Sequence, residues 1–122
     1  MTIEQSFTID TLDIVPDNST CYIQCPSIDD DSKFRELFVP SEFNYNSKIN
    51  LTSENKQKLK DIIRNESVVD YFQNMTIKHN DITLMEAYDG NVIGIFSKKL
   101  NVPQSFLDKY SPTKHAGVSE DW

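Results

Sequence analysis

The chain has 122 residues, enough for one domain with a buried core, and 38% of them are hydrophobic. Its 19 acids and 12 bases give a formal net charge of −7, which argues against direct nucleic-acid binding because phosphates would be repelled. No apolar run approaches the roughly 20 residues of a membrane span, and the N-terminus lacks the basic and apolar blocks of a signal peptide. We therefore expect a single cytoplasmic domain over residues 1–122, without membrane contact.

The acidic excess lies entirely in the first quarter of the sequence. Residues 1–31 contain seven acids and no Lys or Arg, whereas residues 32–122 contain 12 acids and 12 bases. A surface of one sign raises the association rate of an oppositely charged protein, so a basic protein partner is one interpretation. An acidic surface that only interacts with solvent is the other, and the sequence favours neither.

The first part of the chain predicts strands followed by a short helix. Residues Ile3 to Val15 alternate apolar and polar side chains with one slip, which predicts a strand pair or one bent strand. Thr20 to Cys25 predicts a short strand with two buried, unbonded cysteines, because their Cα atoms would lie about 13 Å apart, beyond disulfide reach. A helix is expected at about 33–38, and residues 39–49 are expected to be irregular.

Two further helices are predicted later in the chain. Helical spacing of apolar residues predicts the principal helix at about 53–73, and Asn65-Glu66-Ser67 marks a possible division within it. Pro103 suits the first turn of a short helix at about 104–110.

Between these helices, residues 75–102 predict the centre of an antiparallel sheet. Three extended runs are separated by turn residues at Asn80-Asp81 and at Asp89-Gly90-Asn91. Gly94 indicates a bulge or a close contact with a helix. Apolar residues on both faces of the hairpin predict a sheet covered on both sides near the turn. The expected fold is therefore a single α+β domain with an antiparallel meander.

No catalytic or metal-binding motif is present. Three glycines cannot form a phosphate-binding loop, and G-x-S-x-G, H-E-x-x-H and C-x-x-C are all missing. The Asp29-Asp30-Asp31 triplet lacks the glycine and the terminal Glu of a calcium loop. We therefore expect a protein that is not an enzyme and that binds neither a metal nor another cofactor.

Glu86 lies in the middle of the apolar hairpin and leaves an alternative open. An outward position on a partly covered sheet face is one interpretation, and a carboxylate held in a concave site is the other. The alternative function is a small α+β enzyme or ligand-binding domain with a pocket near Glu86 and His79. A structural or phage-encoded subunit is a third hypothesis.

A resemblance rests on the last third of the chain. The segment runs from Glu86-Ala87-Tyr88-Asp89-Gly90 through Phe96-Ser97-Lys98-Lys99 to Val102-Pro103, and a short helix and a tail ending in Trp follow. Together with the small, acidic α+β domain, it resembles the immunity proteins of bacterial toxin–immunity systems, including those of contact-dependent growth inhibition. The resemblance implies a cytoplasmic protein that binds and blocks one cognate toxin domain, often a basic nuclease.

An inhibitor of this type needs complementary charge and a few buried anchors. Exposed aromatic residues such as Tyr45, Tyr88 and Trp122 are candidate anchors. The residues that we expect to bind the partner are Asp29, Asp30, Asp31, Glu36, Tyr88, Asp89, Glu120, Asp121 and Trp122.

Overall fold

A six-stranded mixed sheet forms the centre of the computed structural model, which describes residues 1–122. Helices pack on one face of this sheet, so the α+β class expected from the sequence is confirmed. The helices are α1 (Ile3–Ile14), α2 (Ser53–Ile63) and α3 (Gln104–Tyr110), with a 3₁₀ helix at Lys33–Leu37. The strands are β1 (Ser19–Gln24), β2 (Ser47–Leu51), β3 (Asn74–His79), β4 (Ile82–Tyr88), β5 (Ile93–Phe96) and β6 (Ala116–Val118), in the spatial order β2-β1-β3-β4-β5-β6.

The core lies between the helices and one face of the sheet. Phe7 of α1 is fully buried, and its ring lies 6.0 Å from that of Phe96 on β5 and 5.2 Å from that of Tyr110 on α3. Cys21 and Cys25 are buried and unbonded, as expected, and burial raises the pKa of the Cys21 thiol to about 12. None of the helices combines the length and the apolar character that crossing a bilayer requires.

Residues 3–14 form a helix, so the strand predicted there is wrong. Thr2 and Gln5 form a capping box, in which the Gln5 N–H donates to Thr2 at 3.1 Å and the Thr2 N–H donates to Gln5 at 2.7 Å. The hydroxyls of Thr8 and Thr11 donate to carbonyls one turn earlier, 2.8 Å away in each case. The many β-branched residues favour a strand locally, but the capping box and the burial of Phe7 against other elements select the helix.

The principal helix α2 ends at Ile63, well before the predicted end at residue 73. The Gln5 side chain donates to the carbonyl oxygens of Ile63 and Glu66, at 2.6 and 3.3 Å, and so satisfies the end of the helix. Ser67 accepts a hydrogen bond from the Asp70 N–H at 3.0 Å but caps only a turn. The predicted division at residues 65–67 is therefore the end of the helix, and no second helix follows.

The sheet contains two strands that the sequence analysis missed. β2 lies partly within the segment expected to be irregular and pairs with β1 in an antiparallel manner, with Ile49 opposite Cys21. β6 pairs with β5 in parallel, so the sheet is mixed and not wholly antiparallel. The meander of β3, β4 and β5 is confirmed, although its last strand ends at Phe96.

The two predicted turns of the meander are confirmed by their backbone angles. Asn80 and Asp81 have φ values of 50° and 64°, and Asp89, Gly90 and Asn91 have values of 55°, 74° and 64°. The close helix contact expected at Gly94 is also present. A Cβ atom there would lie 2.6 Å from the ring of Phe7, so only glycine lets α1 approach β5 this closely.

The opposite face of the sheet has no helix on it, contrary to the prediction of cover on both sides. Ile82, Tyr88 and Ile93 are 44%, 37% and 47% exposed there. The loop before β2 covers part of this face near β1, where the ring of Phe43 packs against that of Tyr22 at 5.0 Å. In the β4–β5 half of the open face these three residues remain exposed, whereas Leu84 on the same face of β4 is buried.

Candidate partner-binding surface

Several loops gather at one end of the sheet. The strand register places Ser47 opposite Ile23, Asn74 opposite Gln24, and Tyr88 opposite Asn74. Residues that follow β1 and β4 or precede β2 and β3 therefore leave the sheet at the same end. Because β6 runs parallel to β5, the residues before it start from this end as well. We call it the loop end, and its segments are residues 25–46, 64–73, 89–92 and 111–115.

An open groove of about 270 Å³ lies at the loop end, between residues 69–73 and the tip of the β4–β5 hairpin. Its lining includes the apolar residues Pro26, Val69 and Phe72 and the carboxylates of Asp70 and Asp89, but no Lys or Arg. Each of the four other main grooves is lined by at least one lysine. We call this feature the acidic groove.

Tyr71 links the acidic groove to the Asp triplet. Its hydroxyl donates a hydrogen bond to Asp29 Oδ2 at 2.5 Å, while its ring belongs to the lining of the groove. The hydrogen bond to Asp29, desolvation, and the negative charges of Asp29, Glu66 and Asp31 together raise the pKa of Tyr71 to about 12. Only Asp29 contacts the hydroxyl, while Asp31 and Glu66 lie near enough for their negative charges to act on it. The acidic groove and these carboxylates form one surface, the acidic surface.

Hydrogen bonds hold the loop that carries the triplet. Arg35 Nε donates to the Asp29 carbonyl oxygen at 2.8 Å, and its guanidinium lies 3.8 Å from the carboxylate of Asp30. Ser32 donates to Glu66 at 2.6 Å, which ties the loop to the segment after α2. The Asp30 side chain is fully exposed, so the backbone is held while the carboxylate remains available to a partner.

Glu36 does not join the acidic surface, although the sequence analysis grouped it with the triplet. Its carboxylate lies 3.8 Å from Lys33, and both side chains are largely exposed. The groove beside it also contains Lys58 and Asp61. Glu36 is therefore next to the triplet in the chain but borders a groove of mixed charge.

The remaining acids of the first quarter are paired within the fold, which corrects the prediction of one acidic patch there. Three of them contact lysines, and the fourth contacts His115 with little exposure of either side chain. Asp10, Asp13 and Asp17 stay partly exposed within these pairs, whereas in the triplet only Asp30 lies near a base, Arg35 at 3.8 Å. Glu66, Asp70 and Asp89 join the triplet from later in the chain. The pairs are Glu4–His115 at 2.6 Å, Asp10–Lys109 at 3.1 Å, Asp17–Lys56 at 2.9 Å, and Asp13–Lys60.

Tyr88 lies next to the acidic surface, on the open face of the sheet. It precedes Asp89 in the chain and pairs with Ile93 on the neighbouring strand. Its hydroxyl donates to Glu86 Oε2 at 2.5 Å, and this hydrogen bond is the main cause that raises the pKa of Tyr88. The structure thus places Tyr88 and Asp89 together, as expected.

The tail residues Glu120, Asp121 and Trp122 lie at the opposite end of the sheet. The Ser119 N–H donates to the Phe96 carbonyl at 2.8 Å, and the Lys98 N–H donates to the Trp122 carbonyl at 2.6 Å. Because β4 has seven residues, its two ends are about 20 Å apart. The predicted partner-binding residues therefore divide into two groups, and the tail group lies away from the acidic surface.

Glu86 and His79 do not share a pocket. Glu86 lines an open groove of about 400 Å³ with Lys99 and Trp122, but His79 is not part of this lining. His79 instead places Nδ1 3.5 Å from Ser19 Oγ on β1. The pocket that the alternative function requires is therefore present only as an open groove without its histidine.

No sequence pattern marked Glu66, Asp70 and Tyr71 as members of a site, because only tertiary packing brings them to Asp29 and Asp89. At no position do three or more His, Cys, Asp or Glu side chains gather closely enough to hold a metal ion. Comparison of the chain with protein-family models, curated proteins and solved structures finds no match.

Proposed function

We propose that the chain is a binding protein that neutralises a basic toxin domain by covering it with the acidic surface at the loop end. The observation that carries this proposal is the acidic groove, whose apolar lining lies beside carboxylates without a compensating base. A Lys or Arg of a partner has a matching structure, since its stem is apolar and its end is cationic. Charge complementarity of this kind accelerates association and excludes acidic partners.

Exposed apolar groups within and beside the acidic surface favour protein binding over simple solvation. Val69 is 43% exposed in the groove, and Tyr88 and Ile93 are 37% and 47% exposed on the adjoining sheet face. Protein interfaces combine such groups at their centre with polar and charged residues at the rim. The hydrogen bonds of Arg35 and Ser32 hold the triplet loop before any partner arrives, which lowers the entropy lost on binding.

The identity of the partner follows from the resemblance to immunity proteins and belongs to the proposal. The expected partner is a cognate toxin domain, with a basic nuclease as the favoured class, and inhibition occurs in the cytoplasm by direct protein–protein binding. No catalytic step or cofactor is needed, because a bound inhibitor blocks access to the toxin's active site. The Glu86 groove does not favour the enzyme alternative, because it contains no histidine and is open to solvent.

Two charge reversals test which surface binds. The probe is the toxin domain encoded by the reading frame adjacent to this chain's gene, and affinity is measured by calorimetry at low and at physiological salt. The double substitution Asp31→Lys with Asp70→Lys should weaken binding by about 100-fold. The matched control is Glu120→Lys with Asp121→Lys, which changes net charge equally at the opposite end of the sheet.

The control variant should bind with nearly wild-type affinity at physiological salt. An equal loss for both double variants would assign the effect to net charge and remove the acidic surface from the interface. Wild-type affinity for both would contradict the proposal, as would a wild-type chain that does not bind the toxin domain.

A further inference from the structure

Tyr45 has a backbone conformation that is unfavourable for a tyrosine. Its side chain is 92% exposed, and its φ angle is 69°, in the left-handed region. The other non-glycine residues with positive φ are Asn, Asp or Lys. A bulky aromatic residue in this region is an outlier that destabilises the free chain. The neighbouring Asn44 and Asn46 are of a type that tolerates this conformation much better.

No intramolecular contact compensates for this conformation. The Tyr45 side chain is 92% exposed, so both its ring and its hydroxyl face solvent. Phe43, two positions earlier, is different, because its ring packs against Tyr22 and lies 5.2 Å from the Lys78 ammonium. The loop therefore uses one aromatic residue for its own packing and presents the other to solvent.

The loop is held in place, so Tyr45 is presented from a defined position. Ser41 exchanges hydrogen bonds with the backbone of Phe43 at 3.1 and 3.2 Å, and the Asn46 side chain donates to the Asn44 carbonyl at 3.3 Å. The loop enters β2 at Ser47, opposite Ile23, so it belongs to the loop end. Tyr45 therefore lies two residues before the start of β2, next to the loop end that carries the acidic surface.

We infer that Tyr45 is an anchor that inserts into an apolar pocket of the basic protein partner. Tyrosine suits this role because its rigid ring buries a large area and its hydroxyl can reach an acceptor at the base of the pocket. The acidic surface supplies charge complementarity, and Tyr45 supplies the buried contact. This inference rests on the proposed function and adds the apolar pocket to the description of the partner.

The test uses Tyr45→Asn, because asparagine tolerates the left-handed conformation and removes the ring. Without a partner, this variant should have a melting temperature about 2–5 °C higher than that of the wild type. Its affinity for the toxin domain of the adjacent reading frame should fall by about 30-fold or more. The matched control, Asn44→Ala, removes an exposed side chain from the same loop and should leave the affinity unchanged.

Three outcomes would overturn the inference. Wild-type affinity of Tyr45→Asn, while Asp31→Lys with Asp70→Lys weakens binding, would overturn the anchor and leave the proposed function intact. A lower melting temperature for Tyr45→Asn would mean that the residue serves the fold. A wild-type chain that does not bind the toxin domain would overturn the proposed function and the anchor together.

Discussion

The acids in the first quarter of the chain form two groups with different surroundings. Those on α1 and in the turn after it contact side chains of other elements, as in the pairs Asp17–Lys56 and Glu4–His115. The triplet Asp29-Asp30-Asp31 instead faces solvent at the loop end. Arg35 is the only basic residue that contacts one of its carboxylates. The first group contributes four negative charges and the second three, but the first group is paired within the fold, so the second leaves more of its charge available to a partner.

The difference shows that charge counted along a sequence does not measure charge on a surface. α1 lies against α2, and this contact brings Asp13 and Asp17 to the lysines Lys60 and Lys56. The triplet follows β1, beyond the reach of these lysines, and meets further acids from later segments. We therefore expect substitutions in the first group to change stability and substitutions in the second to change binding.

The largest expected effect comes from Phe7→Ala, which removes the residue that holds α1 in the core. The ring is fully buried among Phe96, Phe106 and Tyr110, so its loss should cost about 3–5 kcal/mol of unfolding free energy. Denaturant unfolding measures this cost. The control is Phe43→Ala, whose ring is 45% exposed and should matter much less. Equal costs would contradict the assignment of α1 to the core.

The second effect tests the most buried of the acid pairs. The side chains of Glu4 and His115 are only 15% and 10% exposed, and they lie 2.6 Å apart. Glu4→Gln removes the charge but keeps the shape, and we expect it to cost about 1–3 kcal/mol in denaturant unfolding because a buried donor loses its charged partner. A stability equal to that of the wild type would show that the pair does not tie α1 to the residues before β6.

Asp13→Asn should have a smaller effect, because its side chain is 53% exposed although Lys60 is only 17% exposed. Exposed ion pairs contribute at most about 1 kcal/mol, and salt screens them. Unfolding should therefore show a loss of this size at low salt and a smaller loss at high salt. A loss that is independent of salt would mean that the carboxylate acts through packing or a neutral hydrogen bond.

Asp30→Asn with Asp31→Asn should hardly affect stability. The Asp30 side chain is fully exposed, and Asp31 is exposed as well, so we expect the melting temperature to change by less than about 2 °C. Binding to the toxin domain should weaken in the same variant. A large fall in melting temperature would contradict the distinction between the two groups, because the triplet would then stabilise the fold as the α1 acids do.

The smallest effect at neutral pH concerns Asp29, which holds the Tyr71 hydroxyl. The pKa of Tyr71 is raised from the ordinary value of 10.0 to about 12, so the unfolded chain releases this proton first. The resulting stabilisation is complete below pH 10.0 and is lost as the pH rises through about 12. Asp29→Asn should lower the pKa of Tyr71, as measured by tyrosinate absorbance. An unchanged titration curve would mean that Asp29 does not bind the Tyr71 hydroxyl, and that the triplet is not linked to the acidic groove.

The elements that were predicted correctly have strong local signals. Turn-forming residues at Asn80-Asp81 and Asp89-Gly90-Asn91 set the hairpins, and Pro103 precedes α3 as expected. For α1 a signal was present but overlooked, because Thr2 and Gln5 have the spacing of a capping box while the β-branched residues indicated a strand. β6 has only three residues and pairs with a distant strand, so nothing local identifies it.

The candidate site was predicted in part. Asp29, Asp30, Asp31 and Asp89 were named from the sequence because an inhibitor of a basic partner needs complementary charge, but Glu66 and Asp70 were not recognised as their neighbours. Their meeting around Tyr71 depends on how the segment after α2 packs against the loop after β1. In the sequence, Glu120 and Asp121 are partner-binding candidates just as the triplet is. Only the strand register shows that they lie at the opposite end of the sheet.

Residue types and their short-range spacing are enough to predict the α+β class, the two hairpin turns and the excess of negative charge. Which acids are paired, which face of the sheet is open and which loops share an end follow only from the folded arrangement. Those properties depend on contacts between residues far apart in the chain. The pairing of β6 with β5 and the burial of Phe7 are contacts of this kind, and no local pattern encodes them.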